Sequence, residues 1–126
     1  MIKFSYNSYH KIITVFIIIG WAVFHFSEST DNEQYYANGQ SKRVGQIVNG
    51  KNEGKWIWYY ENGQKKMEGS FVDGKREGIW VTYNEEGIKI SESTYKNDRL
   101  NGEYKKWNNE GSLVLIQWYV DDRVEK

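Results

Sequence analysis

The chain contains no cysteine and no proline, and its two histidines, His10 and His25, both fall in the first 25 of its 126 residues. Without cysteine there is no disulfide framework, no thiol nucleophile, no soft metal ligand and no lipid attachment at an export-type cysteine. With no histidine beyond position 25, the rest of the chain lacks the commonest general base. Without proline, tight turns fall to glycine, asparagine and aspartate, and twelve glycines are present. Net charge is missing as well. The 17 basic and 17 acidic residues balance, and from Thr30 onward 17 − 2 = 15 bases face 17 − 1 = 16 acids once Lys3, Lys11 and Glu28 are set aside. Such a balance leaves no footprint for a polyanion, so no nucleic-acid partner is expected.

Long apolar runs are scarce, and the one that stands out is Ile12 to Phe24 (IITVFIIIGWAVF), preceded by Lys3, His10 and Lys11 and followed by an acidic stretch, Ser27 to Glu33. Its length suits a signal-peptide core of roughly 7 to 15 residues. Even extended to Phe26 it spans only about 22 Å at ~1.5 Å per residue, short of the roughly 30 Å hydrocarbon core. The best small-x-small cleavage site, Ser27-Glu28-Ser29, directly follows bulky Phe24, His25 and Phe26, which favours retention. Residues 1–29 are therefore expected to be a hydrophobic helix serving as signal peptide or membrane anchor, touching the membrane through residues 12–26 if retained. Cations on one flank and acids on the other place the N-terminus inside and the remainder outside the cytoplasm. The expected location is exported or membrane-anchored, with everything after the leader extracytoplasmic.

Periodicity is what the chain has in abundance. Gly54, Gly78 and Gly102 are spaced 78 − 54 = 102 − 78 = 24, and Gly39, Gly63, Gly87 and Gly111 keep the same count. So do the ring columns Tyr35, Tyr59, Tyr83, Trp107, then Trp56, Trp80, Tyr104, then Ile47, Phe71, Tyr95, Tyr119. Asn49, Asp73, Asn97, Asp121 form a polar column, and Lys51, Lys75, Arg99, Arg123 a basic one. A fixed period in this range marks a tandem array, in which each unit buries its apolar surface only against its neighbours. Residues 30–126 are expected to form one β-repeat domain of about four units, 35–53, 54–77, 78–101 and 102–126.

Within the second unit, Trp56 to Tyr60 is an aromatic and β-branched run with strong strand preference. Asn62-Gly63 follows and reads as a type I′ hairpin turn; Lys65 to Val72 is a more polar strand ending at Asp73-Gly74, of the same turn class. The pattern predicts strands near 34–37, 42–48, 55–61, 65–72, 79–84, 88–96, 103–108 and 112–120. The fold expected is an extended antiparallel β-meander of tandem hairpins. Trp56 and Tyr59 differ by an odd number of positions, so both faces of such a sheet carry rings. Trp56, Tyr59, Phe71, Trp80, Tyr83, Tyr95, Tyr104, Trp107 and Tyr119 are the expected structural core, with Gly39, Gly63, Gly87 and Gly111 as turn glycines.

The pattern G-x-W-x-x-Y-x-x-x-G followed by F/Y-x-D/N-G-K, carried by Gly54, Trp56, Tyr59, Gly63 and then Phe71, Asp73, Gly74, Lys75, resembles the MORN repeat in its bacterial variant form. That variant occurs in YwqK-type antitoxins of toxin–antitoxin systems, and the resemblance covers roughly Tyr35 to Lys126. It implies a non-enzymatic, protein-binding repeat module, in its sharpest form an antitoxin or immunity protein that masks a toxin, with a membrane-associated scaffold as an alternative. Two departures stand out. Asp98 and Asp122 replace the second-turn glycine, and the last strand (SLVLIQWYV) is far more apolar than its equivalents, reading either as a cap or as a docking edge.

Catalysis is disfavoured by elimination. Ser70, Ser93 and Ser112 have no recognisable base beside them, and the carboxylates Glu53, Glu77 and Glu125 recur in a column, as ladder charges do and unique catalytic groups do not. No metal ligand set and no cofactor are expected. The candidate partner surface is Trp58, Lys75, Arg99 and Trp118, although each cation of the basic column has an acid two residues on in three of four units. A different ligand class is suggested by Trp56-Ile57-Trp58-Tyr59-Tyr60 with Gly63 and Met67, which is similar to choline- or glucan-binding cell-wall repeats. Those carry a Gly-Trp pair after the methionine, where this chain has Gly69-Ser70-Phe71.

Overall fold

Two kinds of turn alternate along the chain and set its path. Asn49-Gly50, Asp73-Gly74, Asn97-Asp98 and Asp121-Asp122 all have positive φ at both residues, between 48° and 78°, as the type I′ geometry requires. Asp98 and Asp122 adopt this conformation without glycine because each carboxylate finds a backbone partner. Asp122 Oδ1 accepts from Leu100 N at 2.8 Å, and Asp98 Oδ1 takes Arg76 Nε at 2.6 Å and Arg76 N at 3.4 Å. The last three of these turns also reach back one unit: Gly74 N, Asp98 N and Asp122 N donate to the carbonyls of Asn52, Arg76 and Leu100.

The other kind differs from the sequence expectation. At Asn62-Gly63 only the glycine has positive φ, 86°. Gly63 N donates to Tyr60 O and Tyr60 N to Gln64 O, which is a three-residue loop closed by a left-handed glycine rather than a type I′ turn. The asparagine side chain then bridges from one unit to the next. Asn62 Nδ2 donates to Glu85 O and Asn38 Nδ2 to Glu61 O, tying successive loops together. Glu86 and Glu110 take that position in later units, where Asn84 and Asn108 instead bond the amides of their own loops.

The computed structural model describes residues 35–126. Its strands are β1 Arg43–Val48, β2 Lys51–Tyr59, β3 Lys65–Val72, β4 Lys75–Tyr83, β5 Lys89–Lys96, β6 Arg99–Trp107, β7 Leu113–Val120 and β8 Arg123–Val124. They form one sheet in the order β1-β2-β3-β4-β5-β6-β7-β8, with each neighbouring pair antiparallel. The chain is thus an all-β antiparallel meander, with no helix among the described residues. The expected hydrophobic helix and leader, residues 1–29, lie outside the described residues.

Two strand expectations need correction. Tyr35 makes only an isolated bridge to Ser41, and the eighth strand lies at the other end, as Arg123–Val124. Strands expected to begin at 55, 79 and 103 begin at Lys51, Lys75 and Arg99. Gly54, Gly78 and Gly102 are not boundaries but bulge residues inside β2, β4 and β6, with φ of 67°, 76° and 123°. At the bulge two steps along β3, from Glu68 to Ser70, oppose four along β4, from Val81 to Glu77. The same two-against-four count recurs between β1 and β2 and between β5 and β6.

The bulges of β2 and β4 each let an indole lie across the preceding strand. Trp56 Nε1 donates to Gln46 O at 3.1 Å and Trp80 Nε1 to Ser70 O at 3.2 Å. Directly beneath the rings are Gly45 and Gly69, where a Cβ would stand inside the indole of Trp56 or Trp80. One unit later the pair becomes Ser93 and Tyr104, direct cross-strand partners. A serine side chain appears where the large bicyclic ring is replaced by a phenol. Of the nine ring residues expected in the core, Trp56 and Trp80 are buried, at 1% and 5% exposure, and the other seven are half-buried. A one-layer sheet has no second layer to cover them, so the rings cover one another.

Candidate functional site

The cross-strand register sorts the side chains onto two faces with opposite chemistry. One, the indole face, holds the row Trp56, Gly69, Trp80, Ser93, Tyr104, Gln117 and beside it Arg43, Trp58, Met67, Thr82, Ser91, Lys106, Leu115. The other, the charged face, holds Val44, Ile57, Glu68, Val81, Glu92, Lys105 and Ile116.

On the indole face the rings meet edge to face. Phe71 stands against Trp56 and Trp80 with centroids 6.3 and 4.9 Å away and interplanar angles of 87° and 83°. Trp80 meets Tyr95 at 6.2 Å and 77°. This is the arrangement that ring quadrupoles favour, at about 0.5 to 1.5 kcal/mol per pair beyond burial. Trp58 fits between the two buried indoles, 5.8 Å from Trp56 and 5.6 Å from Trp80.

Between β2 and β5 these side chains border a groove of about 370 Å³, lined by Trp58, Met67, Phe71, Gly74, Arg76, Trp80, Thr82, Ser93, Tyr95 and Asp98. Its size lies within the range of small-ligand and side-chain sites, and half of its lining residues contribute a ring or a thioether. The Arg76 guanidinium lies 4.1 Å from the Tyr95 ring centroid and holds Asp98, whose carboxyl it keeps below the usual range. Thr82 and Ser91 share a hydrogen bond between their hydroxyls.

The groove is made by residues that break the repeat. Trp58 has Thr82 and Lys106 as its counterparts 24 and 48 residues on, Met67 has Ser91, and Arg76 has Leu100. One large apolar side chain followed by a small polar one leaves a hollow that a strictly regular array would fill or repeat.

The charged face is a ladder of ion pairs. Glu68, its side chain 17% exposed, receives Lys55 at 3.3 Å, Lys65 at 3.2 Å and the Tyr83 hydroxyl at 2.7 Å. Hydrogen bonding from Tyr83 is the main reason its carboxyl titrates below the ordinary range. The Tyr83 hydroxyl is in turn pushed up to about 12 by burial and by the adjacent carboxylate. Glu92 receives Lys89 at 3.0 Å, and Lys105 sits 2.6 Å from Glu103, which raises its ammonium above the usual value. Tyr59, Tyr83 and Trp107 belong to this face, the last with Lys89 Nζ 4.2 Å from its ring.

Of the candidate partner residues, Trp58 borders the groove, while Trp118 is 53% exposed on the opposite face, paired with Glu103. Lys75 and Arg99 come together at the turn side, lining a polar hollow with Lys96, Asn97, Asn101 and Asp121. They are not part of the groove. The acids two residues beyond Lys51 and Lys75 do not neutralise them as their spacing suggests. Glu53 and Glu77 accept the backbone amides of Asp73 and Asn97 at 2.8 and 2.9 Å, and Lys51 pairs with Asp73 instead. Sequence reasoning missed Arg76 and Asp98 as site residues, reached Met67 only through the likeness to cell-wall repeats, and missed Gly45 and Gly69 as the floor beneath the indoles. The offset of 24 between those two glycines was the signal available. No cluster of His, Cys, Asp and Glu able to hold a metal ion occurs among the described residues.

A tandem β-meander with rings on both faces and a groove on one of them defines a repeat module. The family model of the MORN repeat variant matches residues 52–73 and again 76–97, starting 76 − 52 = 24 residues apart. The two matched segments supply most of the groove, from Trp58 to Tyr95. No curated protein matches the chain.

Proposed function

We propose that the chain is a non-enzymatic binding module that captures a protein partner in the groove of its indole face. The observation that carries this reading is the break in the repeat at Trp58 and Met67, which leaves a half-exposed indole and a thioether beside two buried indoles. Trp, Tyr, Met and Arg are the side chains enriched where one protein anchors another, and all four meet here. In its sharpest form the partner is a toxin and the chain its antitoxin or immunity protein, acting outside the cytoplasm if residues 1–29 are a leader. Affinity capture with the full chain, repeated with Trp58→Ala and with Trp118→Ala, tests the reading. Loss of the retained partner with the first variant and not the second is the expected result. Equal retention by both would remove the groove from the interface, and a toxin-like reading frame beside the gene would sharpen the partner's identity.

A second reading is favoured by the half-exposed indole of Trp58 together with the groove-lining Thr82 and Ser93, a combination that suits a sugar or a choline group. Retention on peptidoglycan or choline resin, lost in Trp58→Ala, would select it.

A further inference from the structure

Charge is distributed between the two faces in a way the groove alone does not explain. Glu53, Glu68, Glu77, Glu92 and Glu103, the carboxylates of strands β2 to β6, all fall on the charged face or its bulges, opposite Gln46, Ile57, Ser70, Val81 and Trp118. The strand positions of the indole face contain no carboxylate. They do contain three cations, Arg43, Arg76 and Lys106. Arg76 is committed to Asp98 in the β5–β6 turn. Arg43 and Lys106 have no acidic partner among the described residues.

Both free cations stand in the same cross-strand row as the groove. Arg43 pairs with Trp58, its guanidinium lies 5.8 Å from the Trp56 ring, and its buried Nε has no hydrogen-bond acceptor among the described residues. Lys106 pairs with Ser91, at the far end of the Trp58–Met67–Thr82–Ser91 row. A ligand lying in the groove and crossing the strands therefore meets a cation on either side. Five inter-strand steps separate β1 from β6, about 24 Å at ~4.8 Å per step. An extended peptide covers that distance with about seven residues at ~3.3 Å each.

From this we infer that the partner's docking element is an extended segment with apolar side chains at its centre and carboxylates toward both ends, laid across β1 to β6. The inference rests on the groove reading above and adds the partner's charge pattern to it. Complementary charge at the flanks steers encounter and selects against basic segments, while the central apolar residues supply the burial. The face disfavours a basic ligand twice, by repulsion from Arg43 and Lys106 and by the lack of any free strand carboxylate.

The test uses the full chain and three nine-residue synthetic peptides, followed by intrinsic tryptophan fluorescence. The first has leucines at its centre and two glutamates at each end, the second has lysines at its ends instead, and the third keeps the glutamates around a glycine-serine centre. The expected result is binding of the first at least about tenfold tighter than either of the others, weakening as salt is raised. In Arg43→Glu combined with Lys106→Glu the preference should turn to the lysine-ended peptide; Arg43→Gln with Lys106→Gln, milder for folding, should abolish it. Equal affinity for the two leucine-centred peptides, or a preference unchanged in both double variants, would overturn the charge pattern and leave the groove reading standing. Failure of every leucine-centred peptide to bind, or binding of the glycine-serine peptide as tight as the first, would overturn both.

Discussion

The two faces of this sheet are built from the same strands, yet one is a field of rings with no carboxylate at its strand positions and the other a ladder of lysines and glutamates set among Tyr59, Tyr83 and Trp107. On the charged face the repeat is kept: Glu68 and Glu92 are 24 residues apart and each gathers lysines around it. On the indole face the repeat is kept only for the rings that fold the sheet, Trp56 and Trp80 with the glycines beneath them. It is abandoned between Trp58 and Thr82. Stability demands recurrence in a one-dimensional array, because each unit rests on its neighbours. A unique site demands an exception to it.

The largest effect should come from breaking the ring field at its centre. Trp80→Ala removes a buried indole, its bond to Ser70 O and its contacts with Phe71 and Tyr95, and is expected to cost about 3 to 5 kcal/mol in a chemical or thermal melt. A shift no greater than that of a surface variant would show that the column is not what holds the sheet. Gly69→Ala attacks the same contact from below, since the new methyl occupies the space of the Trp80 ring; about 1 to 3 kcal/mol should be lost. The pairing of ring and floor can be sharpened at the next unit. Tyr104→Trp alone is expected to be tolerated less well than Tyr104→Trp with Ser93→Gly, a coupling that a double-mutant cycle reads directly.

The charged face responds to pH in both directions. Because the Tyr83 hydroxyl titrates near 12 rather than 10, its contribution is complete below pH 10 and disappears as pH rises from about 10 to about 12. Glu68 works in the other direction: its contribution is present above its ordinary range and is lost as pH falls through its lowered folded value. Tyr83→Phe should remove the alkaline step in an equilibrium melt and cost about 0.5 to 1.5 kcal/mol at neutral pH. Smallest of all is Lys65→Ala, expected to change stability by about 0 to 1 kcal/mol, since that lysine is half-exposed and Lys55 remains beside Glu68. A larger loss would mean that the ladder acts as a network rather than as separate pairs.

Much of the fold was legible because the 24-residue count exposes itself in many columns at once, and because Asp73-Gly74 and its equivalents need positive φ at both positions. The bulges were not legible. Gly54 looks the same whether it ends a strand or kinks one, and only the register, four steps against two, tells the cases apart. Asn62-Gly63 misled for a related reason: the same dipeptide serves a two-residue turn and a three-residue loop, and the choice depends on bonds from Tyr60 to Gly63 and Gln64. The candidate site was legible in part through Trp58. Arg76 escaped because a search for columns passes over the residues that differ from one unit to the next.

One consequence follows from the order in which the strands stand. Among the described residues spatial neighbours are neighbours in the chain from β1 to β8, so no strand of the sheet has to wait for a distant partner before it can pair. The molecule is therefore open to editing by whole modules. Splicing a further 24-residue stretch in after Val120, or cutting one out beyond the groove, changes the length of the ribbon while Trp58 and Trp80 keep their surroundings.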